Sequence, residues 1–240
     1  MNRTITIAHL YPREMNIYGD MGNIISLVKR LEWRGYRAEV RQLEIGEAFD
    51  WEAVDLVFGG GGQDSGQLAV GADLVRHGAG LRDMVKDNVP MLVICGLYQL
   101  FGREFVTAAG DVIPGIGVFG ASTRAGSVRM IGNVVAKNDE LGTLVGFENH
   151  SGATKLDAGQ QPLAKVSKGC GNNPKSGFEG AVSGEAIGTY LHGPVLPKNP
   201  QLADKLLLAA LKRRHDVQKL EPLDGSFEQV AAKVAVARPR

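Results

Sequence analysis

Chemistry is first legible around one cysteine. In Val93-Ile94-Cys95-Gly96-Leu97-Tyr98-Gln99, an apolar run with strand character ends on the cysteine, and a glycine and a helical run follow. This is a nucleophile elbow with sulfur in place of oxygen. The sharp turn exposes the side chain, Gly96 lets the backbone pass close by, and the start of the next helix favours the thiolate. A lone cysteine is more commonly a buried structural residue, and position alone leaves both readings open, the strand-end place in an α/β sheet being the argument for a nucleophile. A thiol nucleophile needs a base. Of the five histidines, His9 sits in a strand, His77 on a polar helix face and His215 on a basic surface helix. His192 closes the apolar run Gly188-Thr189-Tyr190-Leu191 and is followed by Gly193-Pro194. It is the candidate base. His150, in Glu148-Asn149-His150-Ser151-Gly152, belongs to a polar turn that either lines the cleft or faces solvent.

Four consecutive glycines, Gly59 to Gly62, follow Val57-Phe58. No Lys-Ser/Thr comes after them, so they are not a P-loop, and they do not open a dinucleotide fold in the first βα turn. At a strand end beside the nucleophile strand, the N–H groups of Gly60 and Gly61 could join that of Gly96 as oxyanion donors. A plain tight turn is the alternative.

These residues need a scaffold, and the chain supplies an α/β one. Thr4–Leu10 reads as a strand, 23–33 as a helix stopped by Gly35, 36–43 and 54–58 as strands, 68–86 as a helix and 91–94 as a buried strand. Short βα connections imply a mostly parallel sheet with helices on both faces. From Val112 to Leu191 the pattern changes to short β-type runs separated by glycines, giving a β-rich second half. The stretch 168–178 reads as an exposed loop. Asn199-Pro200 marks a helix start, and Ser226 to Gln229 fits a capping box before a last Ala/Val helix.

Composition limits what such a scaffold can do. With 240 residues, 27 Lys plus Arg and 26 Asp plus Glu, the net charge is +1. That balance does not suit a general nucleic-acid binder. Two cysteines exclude a disulfide scaffold and favour a reducing compartment. Cys170 is expected to be a free thiol. The first ten residues read as a strand rather than a secretory leader, and no apolar run approaches membrane-spanning length. No metal-ligand cluster is legible.

The Cys-Gly-x-Tyr-Gln elbow, the glycine run ending in Gln63-Asp64, and Gly-Thr-Tyr-Leu-His-Gly-Pro resemble class I (triad) glutamine amidotransferases of the cobyric-acid-synthase (CobB/CobQ) branch. Tyr18-Gly19-Asp20-Met21-Gly22-Asn23 and the run from His192 to Pro200 are similar to the glutaminase subunits of lipid II isoglutaminyl synthases within it. The resemblance implies a flavodoxin-like amidotransferase domain over 1–215, with 216–240 as an extension carrying an added helix. It implies that Cys95 attacks the side-chain amide of L-glutamine, that Gly60, Gly61 and Gly96 hold the oxyanion, and that His192 shuttles the proton. Arg129 matches the family's substrate-binding arginine, with Arg124 as its rival; Gln99, His150 and Ser151 are further cleft candidates.

Most class I members carry a glutamate two residues after the histidine, where this chain has Pro194. The resemblance therefore implies that a Mur-ligase-like partner of the MurT type supplies the third acid, and that the isolated chain is a weak glutaminase. The chain itself is expected to need no cofactor. ATP and magnesium would serve the partner, which would amidate the D-glutamate of lipid II in the cytoplasm near the inner membrane face. The alternatives are a glutaminase for a corrinoid acceptor and a cysteine hydrolase on the same scaffold.

Overall fold

The structure is a computed structural model and describes residues 3–237; the expected basic end, Arg238–Arg240, lies outside them. Two sheets share the chain. The first combines β1 (Thr4–Leu10), β2 (Arg37–Leu43), β3 (Leu56–Gly59), β4 (Met91–Ile94), β11 (Ala181–Ser183) and β12 (Ala186–Thr189), in the order β11-β12-β4-β3-β1-β2. Five of these strands run parallel and β11 is antiparallel. β3, β4 and β12 are buried along their whole length. Burial on both faces is why they appear in the sequence as continuous apolar runs rather than alternating ones.

Helices cover this sheet: α1 (Met21–Glu32), α2 (Asp64–Lys86), α3 (Gly96–Phe101) and α4 (Pro200–His215). α1 packs with α4, and α2 with α3. The chain leaves β1 for β2 on one side and then returns to place β3 on the other side of β1. The direction of winding therefore reverses at β1, and the carboxyl ends beside such a reversal form a crevice.

The second sheet contains β5 (Glu104–Val106), β6 (Val112–Pro114), β7 (Ala121–Asn138), β8 (Gly142–Leu156), β9 (Ala164–Lys168) and β10 (Phe178–Glu179), largely antiparallel. Here the structure departs from the expected series of short strands. β7 and β8 form one long hairpin of 18 and 15 residues. The glycines that look like breaks are points of close packing. A side chain on Gly146 would press on Leu191, its Cβ 2.6 Å from the leucine Cβ, and one on Gly152 would collide with Gln99 Nε2. One true irregularity remains, a register shift between Ala125 and Met130.

A 3₁₀ turn, Leu196–Lys198, leads into α4. Asn199 precedes that helix, but its side chain makes no cap bond. It instead bonds to both Val145 backbone groups and to the Val195 carbonyl, fastening the helix start to β8. Past α4, α5 (Ser226–Ala237) packs on β7, β8 and the 3₁₀ turn. No helix of the described residues is long and apolar enough to cross a membrane.

Candidate active site

Four parallel strands of the first sheet each deliver one part of the site from their carboxyl ends. β4 runs directly into Cys95, which has φ 49 and ψ −103. A side-chain-bearing residue adopts that backbone only when its surroundings enforce it. Buried β4 on one side and α3 on the other enforce it here, and the result is the elbow expected from the sequence. β12 ends at Thr189, and His192 follows, fully buried and clamped by paired backbone bonds with Phe147. β3 delivers the glycine loop. β1 delivers the segment 11–20, which ends in Asp20.

Asp20 was absent from the candidates read in the sequence. It is fully buried, and its Oδ1 lies 3.4 Å from His192 Nδ1. Its other oxygen accepts the Gly61 N–H at 2.7 Å. Two expectations are thereby corrected. An acid of this chain stands behind His192, where none of this chain's was expected. And the Gly61 N–H is already donated to a carboxylate, so it is not free for an oxyanion. Gly60 lies further back, where a side chain would meet the Met15 carbonyl and Asp20. Gly62 is the loop residue that lines the cavity beside Cys95. Its amide nitrogen approaches Gly96 so closely that a Cβ there would sit 2.9 Å away. Glycine is required at 61 for a related reason: a Cβ would come within 2.6 Å of the His192 ring.

The charge state of His192 follows from its neighbours. Burial alone lowers a histidine pKa, but the neighbouring Cys95 and Asp20 outweigh it and push His192 up to about 10. A buried, charged imidazole beside a cysteine sulfur and a carboxylate is an arrangement suited to activating a thiol nucleophile. His9 and Asp20 also face each other electrostatically. Burial dominates at His9 and lowers it to about 4, so it stays neutral and leaves the Asp20 charge to His192.

The cavity above Cys95 measures about 390 Å³ and is lined by Tyr18, Gln99, Arg129, His150 and Ser151 among others. That is the lower end of the size range of small-molecule sites, about 300–1,000 Å³. Arg129 reaches it because of the irregularity in β7: residues 126–129 leave the ladder with β8. Its Nε donates to Asn149 Oδ1 at 2.7 Å. Arg124 remains on the ladder opposite Ala153, exposed and away from the cavity. The geometry therefore separates the two arginines that the sequence left open.

Gln99 lines the cavity, yet its amide is committed within the protein. Its Oε1 accepts from Gln67 at 2.7 Å and its Nε2 donates to the Tyr190 hydroxyl at 3.0 Å. Gln67 in turn donates to the Gly96 carbonyl. Gln99 thus braces the elbow against Tyr190. His150 is stacked flat on Tyr190, centroids 3.6 Å apart, with Nδ1 held by the Gly152 carbonyl. Both cysteines are free thiols, and among the described residues no cluster of three or more His, Cys, Asp or Glu could hold a metal. A larger cavity of about 720 Å³ lies over the end of β8 and the 172–178 loop. It contains none of these groups and does not bear on the chemistry.

Residues 6–200 match the CobB/CobQ-like glutamine amidotransferase domain. The chain is 36% identical to the lipid II isoglutaminyl synthase (glutamine-hydrolyzing) subunit GatD of Staphylococcus aureus, over 98% of this chain and 96% of that one. It is 38% identical to the GatD subunit of Streptococcus pneumoniae over 89% of this chain and 84% of that one. The Staphylococcus alignment includes most of the stretch after His215, which the family resemblance left out. A cobyric acid synthase of Klebsiella pneumoniae is 32% identical over 61% of this chain, but only 30% of that protein is covered. In fold, the chain is similar to a glutamine amidotransferase from Thermotoga maritima, with a TM-score of 0.51 at 17% identity, covering 96% of this chain and 93% of that one.

Proposed function

The chain belongs to the CobB/CobQ-like glutamine amidotransferase family, and on that premise we propose that it is the glutaminase subunit of a lipid II isoglutaminyl synthase. One observation carries the reading. Cys95 opens on an amino-acid-sized cavity with buried His192 beside it and Asp20 on the far side of that ring, in a chain that aligns almost end to end with GatD subunits.

The reaction follows from the groups present. The Cys95 thiolate attacks the side-chain amide carbon of L-glutamine. Negative charge develops on the amide oxygen, and in this reading the backbone N–H groups of Gly96 and Gly62 receive it. The His192 imidazolium gives its proton to the departing nitrogen, and ammonia leaves. His192 then takes a proton from water, which attacks the γ-glutamyl thioester and releases glutamate. Arg129 offers a planar fork to the α-carboxylate of the substrate.

The chain makes ammonia, and amide synthesis also needs an activated carboxylate. The GatD relatives are named as subunits, which supports a partner subunit. In this reading the partner is Mur-ligase-like, uses ATP and magnesium, and amidates the α-carboxylate of D-glutamate in the lipid II stem peptide. The work would take place in the cytoplasm, at the inner membrane face. The short coverage of the cobyric acid synthase argues against a corrinoid acceptor.

The test is glutamine hydrolysis by the chain alone and with its ATP-dependent partner, beside Cys95→Ser. Wild type should release glutamate and ammonia even alone, because Asp20 is in the chain. Cys95→Ser should release neither. Turnover by the serine protein would sink the mechanism, and amidation of an acceptor other than lipid II would redirect the assignment.

A further inference from the structure

Tyr18 combines three features that the hydrolysis steps leave unused. Its backbone is left-handed, with φ 55, and Gly19 follows at φ 81. A large side chain is held in that region only where something is gained. Its ring stands edge-on against His192, with centroids 5.0 Å apart and planes at 75°. Its hydroxyl accepts from the Arg129 guanidinium at 3.3 Å. Tyr18 is also 41% exposed and lines the rim of the cavity. The segment that carries it is fixed at both ends, by Ile17 N–H on the Gly61 carbonyl and by Asp20 on the Gly61 N–H. The left-handed turn aims the ring between the histidine and the arginine.

We propose that Tyr18 is a positioning residue that seats Arg129 for the substrate α-carboxylate and closes the solvent side of His192. The hydroxyl serves the arginine and the ring serves the imidazole, so one residue couples binding of the α-carboxylate to the proton shuttle. The inference rests on the glutaminase reading and deepens it: it concerns how a free amino acid is selected over a glutamine side chain within a peptide, which has no free α-carboxylate.

The two halves of the role separate by substitution. Tyr18→Phe keeps the ring and removes the hydroxyl. It should raise the glutamine KM about tenfold, the order expected for one hydrogen bond to a charged group, with kcat within about twofold of wild type. In an Arg129→Ala background the same change should add nothing, because the hydroxyl acts through the arginine. Tyr18→Ala should lower kcat as well. An unchanged KM in Tyr18→Phe, or an equal rise in both backgrounds, overturns the proposal. If Tyr18→Ala does not fold, the Tyr18→Phe cycle decides alone. Failure of the parent reading looks different: wild type itself would show no Cys95-dependent glutamine turnover.

Discussion

At the scale of single residues, Asp20 carries the most weight. Its two oxygens do separate work, one facing the His192 ring and the other holding the glycine loop. In Asp20→Asn, the amide oxygen can still accept from Gly61, but an NH2 group then faces His192 Nδ1. That favours the wrong tautomer and removes a charge that supports the imidazolium. The same replacement in a serine protease triad lowers kcat about 10⁴-fold. Here the donor–acceptor distance is longer, and a loss of about 10²- to 10⁴-fold in kcat is expected. The His192 pKa, followed by NMR of the ring carbons, should fall at the same time. Wild-type turnover in Asp20→Asn would return the orienting role to a partner.

At the scale of elements, two buried charges show how the strands and helices are tied. Glu179 on β10 is fully buried. One oxygen accepts from the Thr189 hydroxyl and the Tyr190 N–H, and the other has no partner. Burial raises its pKa to about 7, against the lowering effect of those bonds. A carboxyl whose folded pKa lies above its unfolded value binds its proton more tightly in the native state. Stability therefore falls as pH rises from about 4.5 to about 7 and is level above. Glu179→Gln should remove that slope and raise the melting temperature at pH 8, as read by calorimetry across the range. The second case joins three helices. Arg30 of α1 pairs with Asp204 of α4 and with Glu228 of α5, and Arg34 reaches the same Asp204. Arg30 is buried while its partners are partly exposed, so solvent screens part of the interaction. Arg30→Met should cost about 2 kcal/mol, seen in urea titration, and hydrogen exchange should rise first over α5. Unchanged exchange over 226–237 would mean that α5 is held by other contacts.

At the scale of the whole molecule, the winding reversal at β1 creates the crevice, and everything catalytic is delivered to it from strand ends. The elbow at Cys95, the strand-end His192 and the glycine loop were legible in the sequence because each is a local pattern: an apolar run ending in a turn, readable within a few residues. The parallel sheet was legible for the same reason. Asp20 was not, although it lies in the quoted run from Tyr18 to Asn23. An acid in a loop carries no local mark of what it will face, and its histidine is 172 positions away. The only signal was its place just after β1, next to the reversal of strand order. That the Gly61 N–H is taken was hidden for a similar reason, since which of four identical residues donates to a carboxylate depends on where Asp20 sits. Arg129 and Arg124 look alike in sequence and are told apart by a bulge. The sequence by itself determined the family and the candidate nucleophile and base, because strand ends and turns are set by near neighbours. Tertiary structure alone decided which acid lies beside His192, which glycine amide is taken up by that acid and which arginine enters the cavity, because each depends on distances between segments that only the packed sheets bring together.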